Sequence, residues 1–186
     1  MRKLSIGTRI VAVVLLAFFF GMPGSSAQDI TRDGLTAAAG DEVLTARLLG
    51  INEVPAIYSN GKGDFLARVS NDRTSISYEL SYSDLDGVAN VAHIHIGQPG
   101  VNGNVVIDLC GVGNKPPCPA SGTVSGTIVA SDVIARPAQG ISAGDLNKVL
   151  FLIRKGVAYA NVHSDRFPGG EIRGQVVSTK GSRGDQ

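Results

Sequence analysis

The chain's three histidines stand at positions 93, 95 and 163, and the first two share the stretch VAHIHIG. An H-x-H pair is the beginning of a transition-metal site. Residues two apart on a strand project from the same face, about 6.6 Å apart along the chain. Their imidazoles can lean onto one ion with bonds of about 2.0–2.1 Å. Two ligands do not make a stable site, and His163, in VAYANVH, is the one histidine left to supply a third. Imidazole suits both copper and zinc. Binding requires neutral rings, so affinity should fall as pH drops through about 6.5, the ordinary imidazole pKa.

The elements that must position these rings follow from alternation. Ala92, Ile94 and Ile96 share a face with Asn90, and Val91, His93 and His95 share the other. The isoleucines should face the core and the histidines outward. VAYANVH sets Tyr159, Asn161 and His163 against Ala158, Ala160 and Val162. GEIRGQV sets Glu171, Arg173 and Gln175 against Ile172, Gly174 and Val176. If the three strands are neighbours, His93, His95 and His163 converge on one outer face, with Arg173 and Glu171 nearby. The plainer reading is also open: a strand histidine often serves as an ordinary hydrogen-bonded polar residue. Arg173 and Glu171, two apart on one face, can likewise pair on the surface. An arginine stays protonated and cannot be a ligand, so Arg173→Ala is expected to leave copper affinity nearly unchanged.

Period two dominates the chain from Val43 onward, the mark of half-buried strands. In TSISYELSY, Ile76, Tyr78, Leu80 and Tyr82 fall on one face, with Ser75, Ser77, Glu79 and Ser81 on the other. Similar runs occupy 43–49, 64–70, 89–97, 104–109, 122–129, 157–163 and 171–178. Turn signals such as Asn71-Asp72, Asn102-Gly103 and Pro168-Gly169-Gly170 lie between them. This spacing predicts an antiparallel β-sandwich or barrel. SAGDLNKVLFLIRKG breaks the pattern. Leu146, Val149, Leu150 and Ile153 follow helical spacing, which predicts one short connecting helix capped by Ser142 and stopped by Gly156.

The first residues read as an export signal. Arg2, Lys3 and Arg9 precede an apolar run from Val11 to Met22, and Ser25-Ser26-Ala27 supplies the small residues that signal peptidase needs. The reading is a signal peptide over 1–27, a disordered leader over 28–42, a folded domain over 43–178 and a flexible tail over 179–186. The whole chain has 17 basic and 16 acidic residues. The signal removes three basic and no acidic ones, leaving 14 against 16, a net charge of −2. There is no basic patch with interleaved aromatics, so nucleic acid is not an expected partner. Nor is membrane insertion expected after cleavage, because the apolar run is about half the length of ~20 residues that a spanning helix needs.

Cys110 and Cys118 bracket GVGNKPP. In an oxidising compartment this short loop is expected to close as a structural disulfide. The spacing does not fit a CxxC redox motif.

Three segments carry a family resemblance: LTARLLGINEVPAIYSNGKGDFLARV, VAHIHIGQPGVNGNVVIDL and GVAYANVHSDRFPGGEIRGQV. Together, in this order, they resemble the CHRD domain, named after the extracellular protein chordin. The resemblance spans roughly Val43 to Val177. It implies a secreted or periplasmic module with an all-β, immunoglobulin-like sandwich, and it carries no general biochemical activity. A weaker likeness links the pattern to copper/zinc superoxide dismutases. That likeness implies His93 and His95 as a strand pair of copper ligands, His163 as a late ligand, and Arg173 as an anion-guiding residue. The chain departs from it: there is no fourth histidine to bridge two metals, and the two cysteines share one short loop.

Function is therefore read as an exported CHRD-type β-sandwich acting as a non-enzymatic binding module. Its partner would be an extracellular or periplasmic protein or matrix component, and no catalytic residue is assigned. No H-E-x-x-H or P-loop motif is present. The alternative is a copper- or zinc-binding protein with a three-histidine site and weak redox activity.

Overall fold

A computed structural model describes residues 42–180. The segments read from sequence as an export signal, as a leader up to residue 41 and as a tail beyond residue 180 lie outside the described residues.

Nine strands form in chain order: β1 (Glu42–Leu49), β2 (Lys62–Val69), β3 (Ser75–Ser83), β4 (Ala89–Ile96), β5 (Asn104–Cys110), β6 (Gly122–Val129), β7 (Ala158–Ser164), β8 (Ile172–Gln175) and β9 (Val177–Ser178). One helix, α1 (Leu146–Arg154), lies between β6 and β7. The strands pair antiparallel in the order β5-β4-β7-β8-β1-β2-β3-β6, with β9 added on β1. One register pair, Leu49 opposite Arg173, joins β8 to β1. The two ends of the sheet come back together: β5 and β6 are in contact, and Ile134, just past β6, donates its N–H to the Val106 carbonyl of β5 at 2.9 Å. The result is a nearly closed antiparallel barrel, the all-β class that the alternation predicts.

Alternation decides what fills it. Ile76, Tyr78, Leu80 and Tyr82 all point inward, as do Leu44, Leu48, Phe65, Ala92 and Ile94. The two tyrosines bring hydroxyls into the interior, and each finds an acceptor: Tyr78 donates to Leu109 O and Tyr82 to Pro119 O, both at 2.6 Å. Burial holds both phenols up at about 12. Asn90 does not follow its expected face: the β4–β7 register slips between Ala89 and Val91, leaving Asn90 exposed on a bulge.

The helix buries Leu146, Val149, Leu150 and Ile153, the stripe expected from spacing. Its cap differs from expectation. Asp145, not Ser142, accepts the Lys148 N–H at 3.0 Å, because the helix starts one turn later. Gly156 takes the left-handed conformation just past the end, at φ 72°. Arg154, in the last turn, grips both carboxylate oxygens of Glu42. Strand β1 thus begins at Glu42, inside the segment expected to be leader.

Cys110 and Cys118 are bonded, with Cα atoms 5.1 Å apart. Closing so short a loop stabilises by about 2–3 kcal/mol in the chain-entropy model. Cys118→Ser should lower the stability measured by chemical denaturation by that amount, and unreduced peptide mapping of the wild type should recover one linked fragment. Two freely alkylated thiols in oxidised protein would contradict the bond.

Candidate metal centre

Strand β4 lies between β5 and β7, and the register sets the site. Across β7, His95 faces Tyr159, His93 faces Asn161 and Val91 faces His163. Directly opposed residues share a face, so all three imidazoles stand on the side of the sheet away from the core, as alternation predicts. His163 is diagonal to His93. The centroids of the His93 and His163 rings are 5.1 Å apart, with His95 at 5.6 Å and 6.0 Å from them. One nitrogen from each ring lies within 4.8 Å of the other two. Donors on one ion at about 2.0–2.1 Å sit roughly 3.5 Å apart, so the rings need to draw together by about 1 Å.

Each imidazole is also oriented from behind. His95 Nδ1 meets the Gly103 carbonyl at 3.0 Å and His163 Nδ1 meets the Pro168 carbonyl at 2.9 Å. A carbonyl only accepts, so both rings carry their proton on Nδ1 and present the Nε2 lone pair. His93 is turned the other way. Its Nε2 faces the Asp108 carboxylate at 3.6 Å and its Nδ1 sits 3.3 Å from His163 Nε2. In the metal-free domain His93 Nδ1 therefore donates to His163 Nε2; the set that could face one ion is His93 Nδ1, His95 Nε2 and His163 Nε2, once the His93 proton moves to Nε2, on the side of the Asp108 carboxylate. Metal-bound histidines are braced by carbonyls and carboxylates in this way. One further observation tests the fit. His95 Nε2 is buried and has no hydrogen-bond partner. An unsatisfied buried acceptor costs about 1–3 kcal/mol, and a cation at the centre of the three rings would supply its missing partner.

Asp108 reaches His93 through an irregularity. A regular ladder running on from Ala92 opposite Cys110 would set His93 against Leu109. The register slips there, and His93 faces Asp108. Leu109 turns into the core and is fully buried.

The outer face is not open, as simple alternation implies. Loops cover it, and His95 is only 7% exposed. Burial, then the neighbouring rings, pulls His93 down to about 4. Burial likewise leads in taking His95 down to about 4, although the Gly103 hydrogen bond opposes it. Burial also lowers His163. The rings are thus neutral well below pH 6.5, and proton competition for a metal moves correspondingly lower. Asn161 fills the space beside His93 and donates to Glu53 Oε1 at 2.6 Å and to Ile172 O at 3.0 Å. Burial raises the Glu53 carboxyl to about 7, against the Asn161 hydrogen bond and the Arg173 charge.

These shifts set a pH dependence for the metal-free domain. An unfolded imidazole takes its proton near 6.5, His93 and His95 in the fold near 4, and His163 is lowered too, so below 6.5 the unfolded chain binds more protons and stability rises with pH. Glu53 works the other way, because its folded pKa lies above its unfolded value of 4.5. Asp108, raised by burial, acts in the same sense as Glu53, and the three imidazoles outweigh the two carboxyls. The melting temperature should climb from pH 4.5 to 6.5 and flatten above; a flat profile across that window would contradict the burial.

Arg173 and Glu171 are both in the interior, at 2% and 0% exposure, and they do not pair on the surface. Glu171 accepts from Ser59 Oγ at 2.7 Å and from the backbone N–H groups of Asp86 and Gly87. It ties two loops together and makes no hydrogen bond to the histidines. The Arg173 guanidinium carbon lies 3.4 Å from the centre of the Tyr159 ring, and the other face of that ring stacks on His95 at 4.6 Å with planes 8° apart. Arg173 therefore reaches the site through Tyr159. Sequence reasoning missed Asp108, Tyr159, Gly103 and Glu53. The lone carboxylate in VVIDL and the glutamate of N-E-V-P were the available signals.

Three neutral imidazoles with no carboxylate among the donors leave a bound ion's charge uncompensated and a fourth position free. That arrangement suits binding, Lewis-acid or one-electron chemistry.

Neither the curated proteins nor the solved structures contain a match to this chain. The CHRD domain family does match, over residues 44–176, a span that takes in all three histidines, both cysteines and every strand from β2 to β8. The chain belongs to the CHRD domain family.

Proposed function

We propose that this CHRD domain is an exported, non-enzymatic binding module whose ligand is a copper or zinc ion. His93 Nδ1, His95 Nε2 and His163 Nε2 hold it. The observation that carries the reading is the buried, unpartnered Nε2 of His95, set beside the rings of His93 and His163. When bound, the ion supplies Lewis acidity and, for copper, one-electron exchange. The chain's own residues keep the rings neutral, fix the tautomers of His95 and His163 and shield all three from bulk water. Of the two metals, copper(II) binds such nitrogen sets the more tightly.

Export is supported by the basic start, the apolar run and the small residues ending at Ala27, and by a disulfide of the kind that persists in oxidising compartments. Among the described residues no helix is long and apolar enough to cross a membrane. A second reading, an extracellular protein partner, is favoured by the exposed Ile51 and Tyr58 beside a hollow lined by Gly50, Ala56 and Ile57.

Protein recovered from the producing cell, with copper and zinc available, should have an intact mass beginning at Gln28 and retain one equivalent of metal through dialysis. A mass that includes residues 1–27 would overturn export. Absence of any binding in a direct copper titration would overturn the metal role.

A further inference from the structure

Arg173 is among the largest fully buried side chains in the domain. A guanidinium removed from water is costly unless its N–H groups are matched. Here the acceptors of its Nη groups all come from one loop, between β4 and β5. Nη1 donates to Asn102 Oδ1 at 3.2 Å, and Nη2 donates to Val101 O at 2.7 Å and Gln98 O at 3.3 Å. The next residue in that loop is Gly103, whose carbonyl fixes His95 Nδ1. The Gly103 N–H donates to the Tyr159 hydroxyl at 3.1 Å. Tyr159 is the ring clamped between Arg173 and His95. Gly103 itself packs so tightly that an added Cβ would lie 1.8 Å from Ile96 O, so the loop has little freedom to settle elsewhere. Two routes thus run from one buried cation to one imidazole: through the loop backbone to Nδ1, and through the tyrosine ring to the imidazole face.

We propose that Arg173 is the positioning residue of this centre: by clamping loop 98–102 and Tyr159 it holds His95 in its Nδ1–H tautomer and aims Nε2 at His93 and His163. It touches no metal. The inference rests on the three-histidine reading for its purpose, but its structural content is measurable without metal. It reverses the expectation that Arg173→Ala leaves copper affinity unchanged. It also gives the arginine a role that needs no access to solvent.

The test is the tautomer of His95 in metal-free protein, read by long-range proton–nitrogen correlation of the three imidazoles, in wild type, Arg173→Lys and Asn102→Ala. A lysine carries the charge but cannot lie flat on Tyr159 while spanning three acceptors in the loop. Asn102 is exposed, so its truncation leaves the core intact; it removes the contact to Arg173 and the Nδ2 hydrogen bond to the Val54 carbonyl. Wild type should show the Nδ1–H form alone. Arg173→Lys should show a mixture and bind copper about tenfold more weakly, the scale of an outer-shell substitution. Asn102→Ala should shift the same way by less. If Arg173→Lys fails to fold, Asn102→Ala decides. An unchanged His95 tautomer in every variant that folds overturns the proposal. A wild type that binds no copper yet shows the tautomer shift in the variants would instead sink the metal reading and leave the positioning role standing.

Discussion

His163→Ala should weaken copper binding by a hundredfold or more. Removing one of three ligands costs more than removing an outer brace, and an outer brace is worth about 10–100-fold. The loss cannot be made up locally. His93 and His95 are the chain's only other histidines, and they stand on one strand, so they close a site only with help from β7. The domain should survive the substitution: His163 is part-exposed, and its ring bonds only the Pro168 carbonyl and the His93 ring. A competition titration with a chelator of known affinity gives the ratio directly. Equal affinity in wild type and variant would end the three-histidine reading and leave His93 and His95 as hydrogen-bonded strand residues. Asp108→Asn is the graded companion. It keeps the shape and loses the charge facing His93 Nε2, so a drop nearer tenfold is expected.

Glu171→Ala should cost about 3–5 kcal/mol of folding stability, because it leaves three donors without their acceptor at about 1–3 kcal/mol each. The carboxylate is wholly buried and receives a serine hydroxyl and two consecutive backbone N–H groups. Its removal strands those donors and cuts the tie between the Ser59 loop and the Asp86 turn. Denaturant titration should show the midpoint fall with little change in slope, while copper affinity per folded molecule holds. A loss under 1 kcal/mol would mean that water takes over the vacated acceptors.

The outward placement of His93, His95 and His163 was legible because alternation carries parity, and parity survives whatever the strand order. Which strands are neighbours was not legible: β4 meets β7 through pairing across 70 residues of chain, and nothing local announces it. Nor was the slip that gives His93 an aspartate for a neighbour, since a bulge changes register without changing composition. Arg173 and Glu171 look like a surface pair by spacing. Loops folding over that face bury both and send each to a different partner. The helix was readable from its apolar stripe, but its start was not, because Ser142 and Asp145 are both able caps. The N-E-V-P glutamate gave no sign of its burial, which depends on Asn161 from a distant strand.

The pairing of β4 with β7 has a thermodynamic side. A ring from residue 93 and a ring from residue 163 meet only when the long intervening segment has been ordered and its closure entropy met. The unfolded chain offers at most the H-x-H pair, so an ion that needs all three rings discriminates sharply between folded and unfolded molecules. Occupancy then becomes stability by mass action: free metal at a thousand times the dissociation constant adds about 4 kcal/mol to the folded state. The ion would act as a reversible staple across 70 residues, where the Cys110–Cys118 bond spans a separation of only 8. Local metal supply would then set how long the domain outlasts proteolysis.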